Sequence, residues 1–414
     1  MFRSLLPRAH QKLLNLPLLG SVVDGFDDWL SESGYTPGSR KFSLRMLRHV
    51  EADLRRRRVH DIASLTAVTL DKCWRNLIKS FPTNAGTVRA LKRYLTVTGV
   101  IASRATATGE ASPVTVLVEE YADHLREVRG FAASTLSNHR RSARCFLNHL
   151  KTKRIPLGSI QPKDIETYIN QSGKRLSRAS LQHDIGAVRG LLRFLVTDGR
   201  VPTGLDRQID TPRLYRLEQL PRALPWNTVA ELLRSMETAT AMGVRNYAMF
   251  LLIATYGLRA SEVVSINLDD IGWRQRILRI HQRKTSSPLE LPLTNEVLSA
   301  LVKHLKRMPP PAPYRRVFMR MRAPIGVLKP TAVTEAFRAL VRSSGLDIPY
   351  QGPHCLRHSY AHHILKNGTP LKTIGDILGR RTAESTSMYL RLATGDLREV
   401  ALPVPGRAAG KERR

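Results

Sequence analysis

Two stretches of this chain share one outline. FDDWLSESGYTPGSRKFSLRMLRHVEADL, from Phe26 to Leu54, and VEEYADHLREVRGFAASTLSNHRRSARCFLNHL, from Val118 to Leu150, carry apolar residues at three- and four-residue spacing. Each is broken once by a glycine-aromatic turn. Gly34-Tyr35 corresponds to Gly130-Phe131, and Leu54 to Leu150, a shift of 96 residues in both cases (130 − 34 and 150 − 54). The helical period argues against strands over these stretches and predicts two related small helical domains in tandem.

Between them lies ATATGEASPVT, residues 105–115, a candidate linker. A second, DGRVPTGLDRQIDTPRLYRLEQLPRALP, leads out of the second copy, and its prolines and charges suit an extended strap. From Trp226 onward the pattern is again helical, with one break to period two. The alternation around Ile277 to Ile280 and Leu289 to Leu293 predicts a small hairpin or three-stranded sheet, with Lys284 at or near its turn. The expected fold is mainly α with one small β-sheet.

Charge bounds the partner. Lys and Arg number 66 against 34 Asp and Glu, a formal net charge of +32 in 414 residues. Such an excess implies a polyanion, nucleic acid before an anionic membrane. No apolar run approaches the roughly 20 residues of a spanning helix. Pro7, His10, Lys12, Asn15 and Pro17 interrupt the apolar start, so no signal peptide is read there. Cys73, Cys145 and Cys355 form no paired motif and suit reduced thiols of a cytoplasmic protein.

Four short stretches carry chemistry. Arg259 and Glu262 lie in ATYGLRASEVV, just after an apolar helix, and Lys284 follows on the hairpin. His354 and Arg357 stand three apart, one helical turn, in GPHCLRHSYAHHILKNG. LGRRTAESTSMYL opens with Arg380-Arg381 and ends on Tyr389-Leu390. Taken singly each is an ordinary surface or half-buried residue. His358 and His362, four apart, would suit a metal, but Ser359 stands where the zinc-protease helix has Glu, and His358 reads as structural.

In this order and spacing the four resemble the tyrosine recombinases, the phage-type integrases. The family pattern is G-L-R-x-x-E, a hairpin lysine, H-x-L-R-H, L-G-H, and a tyrosine nine residues beyond that last histidine. Here it reads Gly257-Leu258-Arg259 with Glu262, Lys284, His354-Cys355-Leu356-Arg357-His358, Leu378-Gly379-Arg380 and Tyr389 (389 − 380 = 9). The resemblance spans about residues 115 to 400. It implies a core-binding helical domain over 114–203 and a mixed α/β catalytic domain over 220–400, closing as a C-shaped clamp on double-stranded DNA. Residues 1–110 form an extra helical domain and 401–414 a basic tail. It further implies a dimer on each site, a tetramer in the synapse, and a place in the bacterial cytoplasm on the nucleoid. Relatives of this size also work as sets of adjacent recombinases, which adds sister recombinases as partners.

The resemblance implies a chemistry that suits these residue types. Tyr389 is the nucleophile on a DNA phosphodiester, giving a 3′-phosphotyrosyl intermediate and a free hydroxyl. A tyrosine with a pKa of about 10 is neutral at pH 7, so it needs positive charge and a base beside it. Arg259 and Arg357 suit the non-bridging phosphate oxygens. His354 serves as general base, Lys284 protonates the leaving 5′ oxygen, and Glu262 pairs a cation. Neither metal nor ATP is required. Arg140, Arg141, Arg144, Lys174 and Arg178, on the basic runs SNHRRSARCFLNHLKTKR and GKRLSRASLQHD, are the candidate phosphate contacts.

One residue departs from the pattern: Arg380 stands where the family has His or Trp. Arginine donates to phosphate but does not shuttle protons. The expectation is a working recombinase of a mobile element with Arg380 as an electrostatic clamp. The alternatives are a weakened, architectural or regulatory DNA-binding descendant and a topoisomerase. For residues 1–110 the sequence leaves open accessory DNA binding, a duplicated clamp and contact with a neighbouring protomer.

Overall fold

The three- and four-residue spacing is realised as helices. The computed structural model describes residues 5–6, 9–83, 85–101, 112–213, 221–282, 288–380 and 382–392. After a short α1 (His10–Leu14) come α2 (Val23–Glu32), α3 (Pro37–Arg56), α4 (Ala67–Ser80) and α5 (Gly86–Val97). The next four are α6 (Pro113–Glu127), α7 (Ala133–Lys153), α8 (Pro162–Gly173) and α9 (Arg178–Thr197). The chain divides into two compact units, Leu95–Glu218 and the union of Met1–Tyr94 with Gln219–Arg414.

The two groups of four helices repeat each other beyond the outline seen in sequence. Gly34 and Gly130 both take positive φ after the first helix, at 80° and 60°. Arg58 and Arg154, 96 apart, both turn left-handed after the second helix, at 59° and 57°. The amide that follows closes the same bond, Val59 N to Leu54 O (3.1 Å) and Ile155 N to Leu150 O (3.0 Å). A 3-10 turn comes next in each copy, Ile62–Ser64 and Leu157–Ser159. Along the fourth helix the shift becomes 100: Val88, Arg89, Leu91, Arg93 and Leu95 recur as Val188, Arg189, Leu191, Arg193 and Leu195. The first copy packs its own core, with Phe26, Leu30, Leu44, Leu47, Leu54 and Leu91 fully buried. It also touches the C-terminal part of the chain, where Ile325 N donates to Ser33 O at 3.0 Å.

From Trp226 on, the fold surrounds one buried helix. The elements are α10 (Trp226–Arg234), α11 (Ala241–Tyr256), α12 (Ala260–Val263), β1 (Ile271–Gly272), β2 (Ile277–His281), β3 (Pro288–Pro292), α13 (Asn295–Arg307), α14 (Pro330–Ser344), α15 (His354–Lys366), α16 (Leu371–Ile377) and α17 (Ala383–Ser387). Helix α11 buries Val244 and an unbroken run from Ala248 to Ala254, because it is apolar on all sides and is covered by α10, α13, α14 and α15. The expected hairpin forms. Strands β1, β2 and β3 pair antiparallel in that order, with Leu278 opposite Leu291 and Ile280 opposite Leu289. Leu278 and Ile280 point to the core while Arg279 and Glu290 pair outside at 3.0 Å. Lys284, residues 105–111 of the first candidate linker and the tail 401–414 lie outside the described residues, and residues 113–115 of that linker already belong to α6.

Candidate active site

Helix α11 stops at Gly257, and that stop aims Arg259. Gly257 takes φ 63°, and an added Cβ would lie 2.6 Å from Tyr360 Cδ1 and 2.9 Å from Leu378 Cδ2. Only glycine fits both the turn and the gap. Arg259 then caps α12. Its backbone amide donates to Glu262 Oε2 at 2.8 Å, and its Nη1 to Glu262 Oε1 at 2.5 Å. The Glu262 side chain is 2% exposed, and its Oε2 also lies 3.8 Å from Arg357 Nη1. A buried carboxylate so placed holds two guanidiniums that would otherwise repel.

Helix α16 builds the other wall. It ends in a paired-bond glycine turn: Gly379 takes φ 54°, its amide donates to Asp376 O at 3.0 Å, and the Arg380 amide donates to Gly375 O at 2.9 Å. The carbonyls left over at a helix end are partial negative charges seeking donors. Arg357 donates to Leu378 O and, at 2.5 Å, to Gly257 O. Arg259 Nη2 reaches Leu378 O at 3.0 Å and Gly379 O at 3.3 Å. Gln282, 4% exposed at the end of β2, donates to Ile377 O at 3.2 Å. Thus β2, α12 and α15 all converge on one helix terminus.

Nine residues separate Arg380 from Tyr389 because the chain must cap α16, start α17 on the Thr382 side chain, and return through the 3-10 turn Met388–Leu392. Tyr389 comes back fully buried, packed with Ala361, Ile374 and Leu378. Its hydroxyl donates to or accepts from His358 Nδ1 at 3.0 Å, and it accepts from Arg380 Nη2 at 2.8 Å. Burial first, then the charges of His354, Arg380 and Arg357, push His358 down to about 4, so the imidazole is neutral at pH 7. Burial, then Arg259, pushes Arg357 down to about 10, which leaves it charged.

Arg259, Glu262, Arg357, His358, Arg380 and Tyr389 therefore share one site. His354 opens α15, its ring 6.2 Å from that of His358. In the other unit, Arg141 and Arg144 are exposed on α7, while Arg140 is held by Glu119 at 2.8 Å. Lys174 ends α8 and Arg178 opens α9, both exposed. Among the described residues no cluster of His, Cys, Asp and Glu suits a metal. None of their helices is long and apolar enough to cross a membrane. Sequence reasoning passed over Gln282 and gave His358 a supporting, structural place in the H-x-L-R-H segment. The spacing His354 to His358, one turn of α15, was the signal available for His358.

The comparisons agree with this geometry. The family model described as Phage integrase family matches residues 222–395, and the phage integrase N-terminal SAM-like domain matches 118–199. The chain belongs to that family, the tyrosine recombinases, enzymes that break and rejoin DNA. It is 30% identical over 389 residues to the integrase/recombinase y4rA of Sinorhizobium fredii, covering 92% of this chain and 94% of that protein. It is 27% identical to tyrosine recombinase XerD of Listeria monocytogenes, over 69% of this chain and 96% of that protein. In fold it is similar to a lambda integrase tetramer bound to a Holliday junction (TM-score 0.53, 18% identity, 74% and 86% of the two chains). It is also similar in fold to the Tn1549 transposon integrase in complex with a circular intermediate DNA (TM-score 0.52, 15% identity, 69% and 99%).

Proposed function

We propose that this chain is the site-specific recombinase of a mobile element, acting on double-stranded DNA through a 3′-phosphotyrosyl intermediate. The observation that carries the reading is the position of the Tyr389 hydroxyl between His358 Nδ1 and Arg380 Nη2. The tyrosine oxygen attacks phosphorus as the bond from phosphorus to the 5′ oxygen breaks. The phenolic proton passes to the neutral His358, whose contact supports it over His354 as the receiving group. Arg380 stabilises the developing phenolate, a role that needs charge and a donor but no proton shuttle. Arg259 and Arg357 take the non-bridging oxygens in exchange for the carbonyls they now hold, and Lys284 delivers the proton to the departing 5′ oxygen. His354, at the start of α15, adds a donor to the phosphate.

The helical domain 114–203 and the catalytic domain 220–400 grip the duplex together, with Arg141, Arg144, Lys174 and Arg178 on phosphates. Arg140 joins them by exchanging Glu119 for phosphate. Dimers on each site and a tetramer in the synapse follow the assembly named for the lambda relative. The transposon relative supports the mobile-element role.

The test is a nicked suicide duplex carrying the target site. Wild type should form a covalent adduct, and Tyr389→Phe should bind equally and form none. An adduct that survives in Tyr389→Phe would sink the mechanism.

A further inference from the structure

We infer that the first helical repeat is a second duplex-DNA binding site, presented by one cationic face of α3. On α3, Lys41, Arg45, Arg48 and Arg55 are all exposed. At 3.6 residues per turn they fall on one stripe, about 21 Å from first to last. The helix has two acids, and both face inward. Glu51 accepts from the amides of Leu18 and Leu19, each at 2.9 Å. Asp53 accepts from Arg57 at 2.7 Å and from Asn76 at 2.6 Å. Among the described residues, no carboxylate pairs with Arg45, Arg48 or Arg55.

The repeat supplies the second observation. Moved by 96 residues, Arg45, Arg48 and Arg55 become Arg141, Arg144 and Lys151, three exposed cations on α7. These three cations keep both position and exposure, while the exposed Lys41, His49 and Arg56 of the same helix become Ser137, Cys145 and Thr152. Meanwhile Glu119, which pairs with Arg140 and lies 3.8 Å from Arg144, becomes the buried Val23. The first copy thus shows the same stripe without its neutralising acid. Row spacing and charge of this kind suit a phosphate backbone, which carries one charge per about 1.7 Å of duplex axis. The contacts position the chain on DNA without reading bases. The fourth helix differs: α5 begins at Gly86 whereas α9 begins at Arg178, eight residues earlier in the shifted frame (186 − 178). The first copy therefore offers one long helix face and lacks the two turns that carry Arg178.

This inference rests on the reading that the chain acts on duplex DNA, and the experiment separates the two. Binding of a labelled random-sequence duplex to the full chain is measured against salt, beside adduct formation on the suicide substrate. Arg45→Gln/Arg48→Gln/Arg55→Gln is compared with Lys12→Gln/Lys72→Gln/Arg75→Gln, which removes the same charge from α1 and α4. The α3 variant should make the slope of log K against log salt shallower by about 2 to 3, at about 0.9 per lost phosphate contact. The control should stay near wild type, and both should still form the adduct. Equal slopes in all three proteins, or equal losses in both variants, would overturn the second site and leave the recombinase reading standing. Failure of wild type to bind duplex at all would remove both.

Discussion

Arg380 Nη2 lies 2.8 Å from Tyr389 Oη, and the same guanidinium sits 4.9 Å from the centre of the tyrosine ring. One side chain thus both donates to the tyrosine hydroxyl and covers the face of its ring. The family has His or Trp at this position, each a single donor on a flat ring. Arginine replaces them with a permanent charge, aimed at the oxygen that would carry negative charge in the proposed attack. Arg380→Ala should slow single-turnover cleavage by about 10²- to 10³-fold, in the range of a lost oxyanion donor. Arg380→His should retain far more activity than Ala. Equal rates for wild type and Arg380→Ala would take Arg380 out of the chemistry, and a gain in Arg380→His would mark the native residue as a decayed one.

In the proposed mechanism His358 sets the pH response. An ordinary histidine base loses activity as it protonates near 6.5. Burial holds His358 down to about 4, so it stays neutral and able to accept through the whole range above that. The acid limb of the single-turnover rate should therefore lie nearer 4 than 6.5. Linkage gives stability the same sign: between about 4 and 6.5 the unfolded histidine binds a proton that the folded one does not, so stability falls as pH falls. His358→Asn should remove that part of the stability change. A rate profile that falls around 6.5 would point to a different proton acceptor.

The parts legible in sequence were those with a local signal. Helical period, the hairpin alternation between Ile277 and Leu293, and the spacing of Arg259, Arg357 and Tyr389 are all written over short stretches. The contacts of Gln282 and His358 are not, because each depends on where α16 ends in space. Gln282 meets Ile377 across 95 residues, and His358 meets Tyr389 across 31. The repeat was legible only in part for a related reason. Its spacing holds at 96 through the turns at Arg58 and Arg154 and becomes 100 along the fourth helix, so a fixed shift loses the match there.

Glu262 should matter to stability as much as to catalysis. Its buried carboxylate lies between Arg259 and Arg357, and removing one partner of a buried pair leaves charge uncompensated. Glu262→Ala should cost about 3 to 5 kcal/mol, read as a lower midpoint in denaturant. Glu262→Gln keeps an acceptor for the Arg259 amide and should cost less. If both variants unfold at the wild-type midpoint, the carboxylate is not what holds the two arginines.

Gly379 and Gln282 should be coupled. Gly379 takes φ 54°, and a Cβ there would fall 2.0 Å from Gln282 Oε1 and 2.6 Å from its Cδ. Gly379→Ala therefore combines a left-handed backbone strain of about 1 to 2 kcal/mol with a clash against a buried side chain. The turn it distorts carries Arg380 and offers the carbonyls that hold Arg259 and Arg357. Cleavage should fall together with stability. Gln282→Ala leaves Ile377 O without its donor and costs about 1 kcal/mol, but it also opens the space that the new methyl needs. The double variant should then be more stable than the sum of the two losses allows, with a coupling of about 0.5 to 3 kcal/mol. The measurement is a double-mutant cycle on denaturation midpoints, with adduct formation followed in parallel. Strict additivity would show that the helix end accommodates the methyl by moving the turn, and that Gln282 does not fix the position of Arg380.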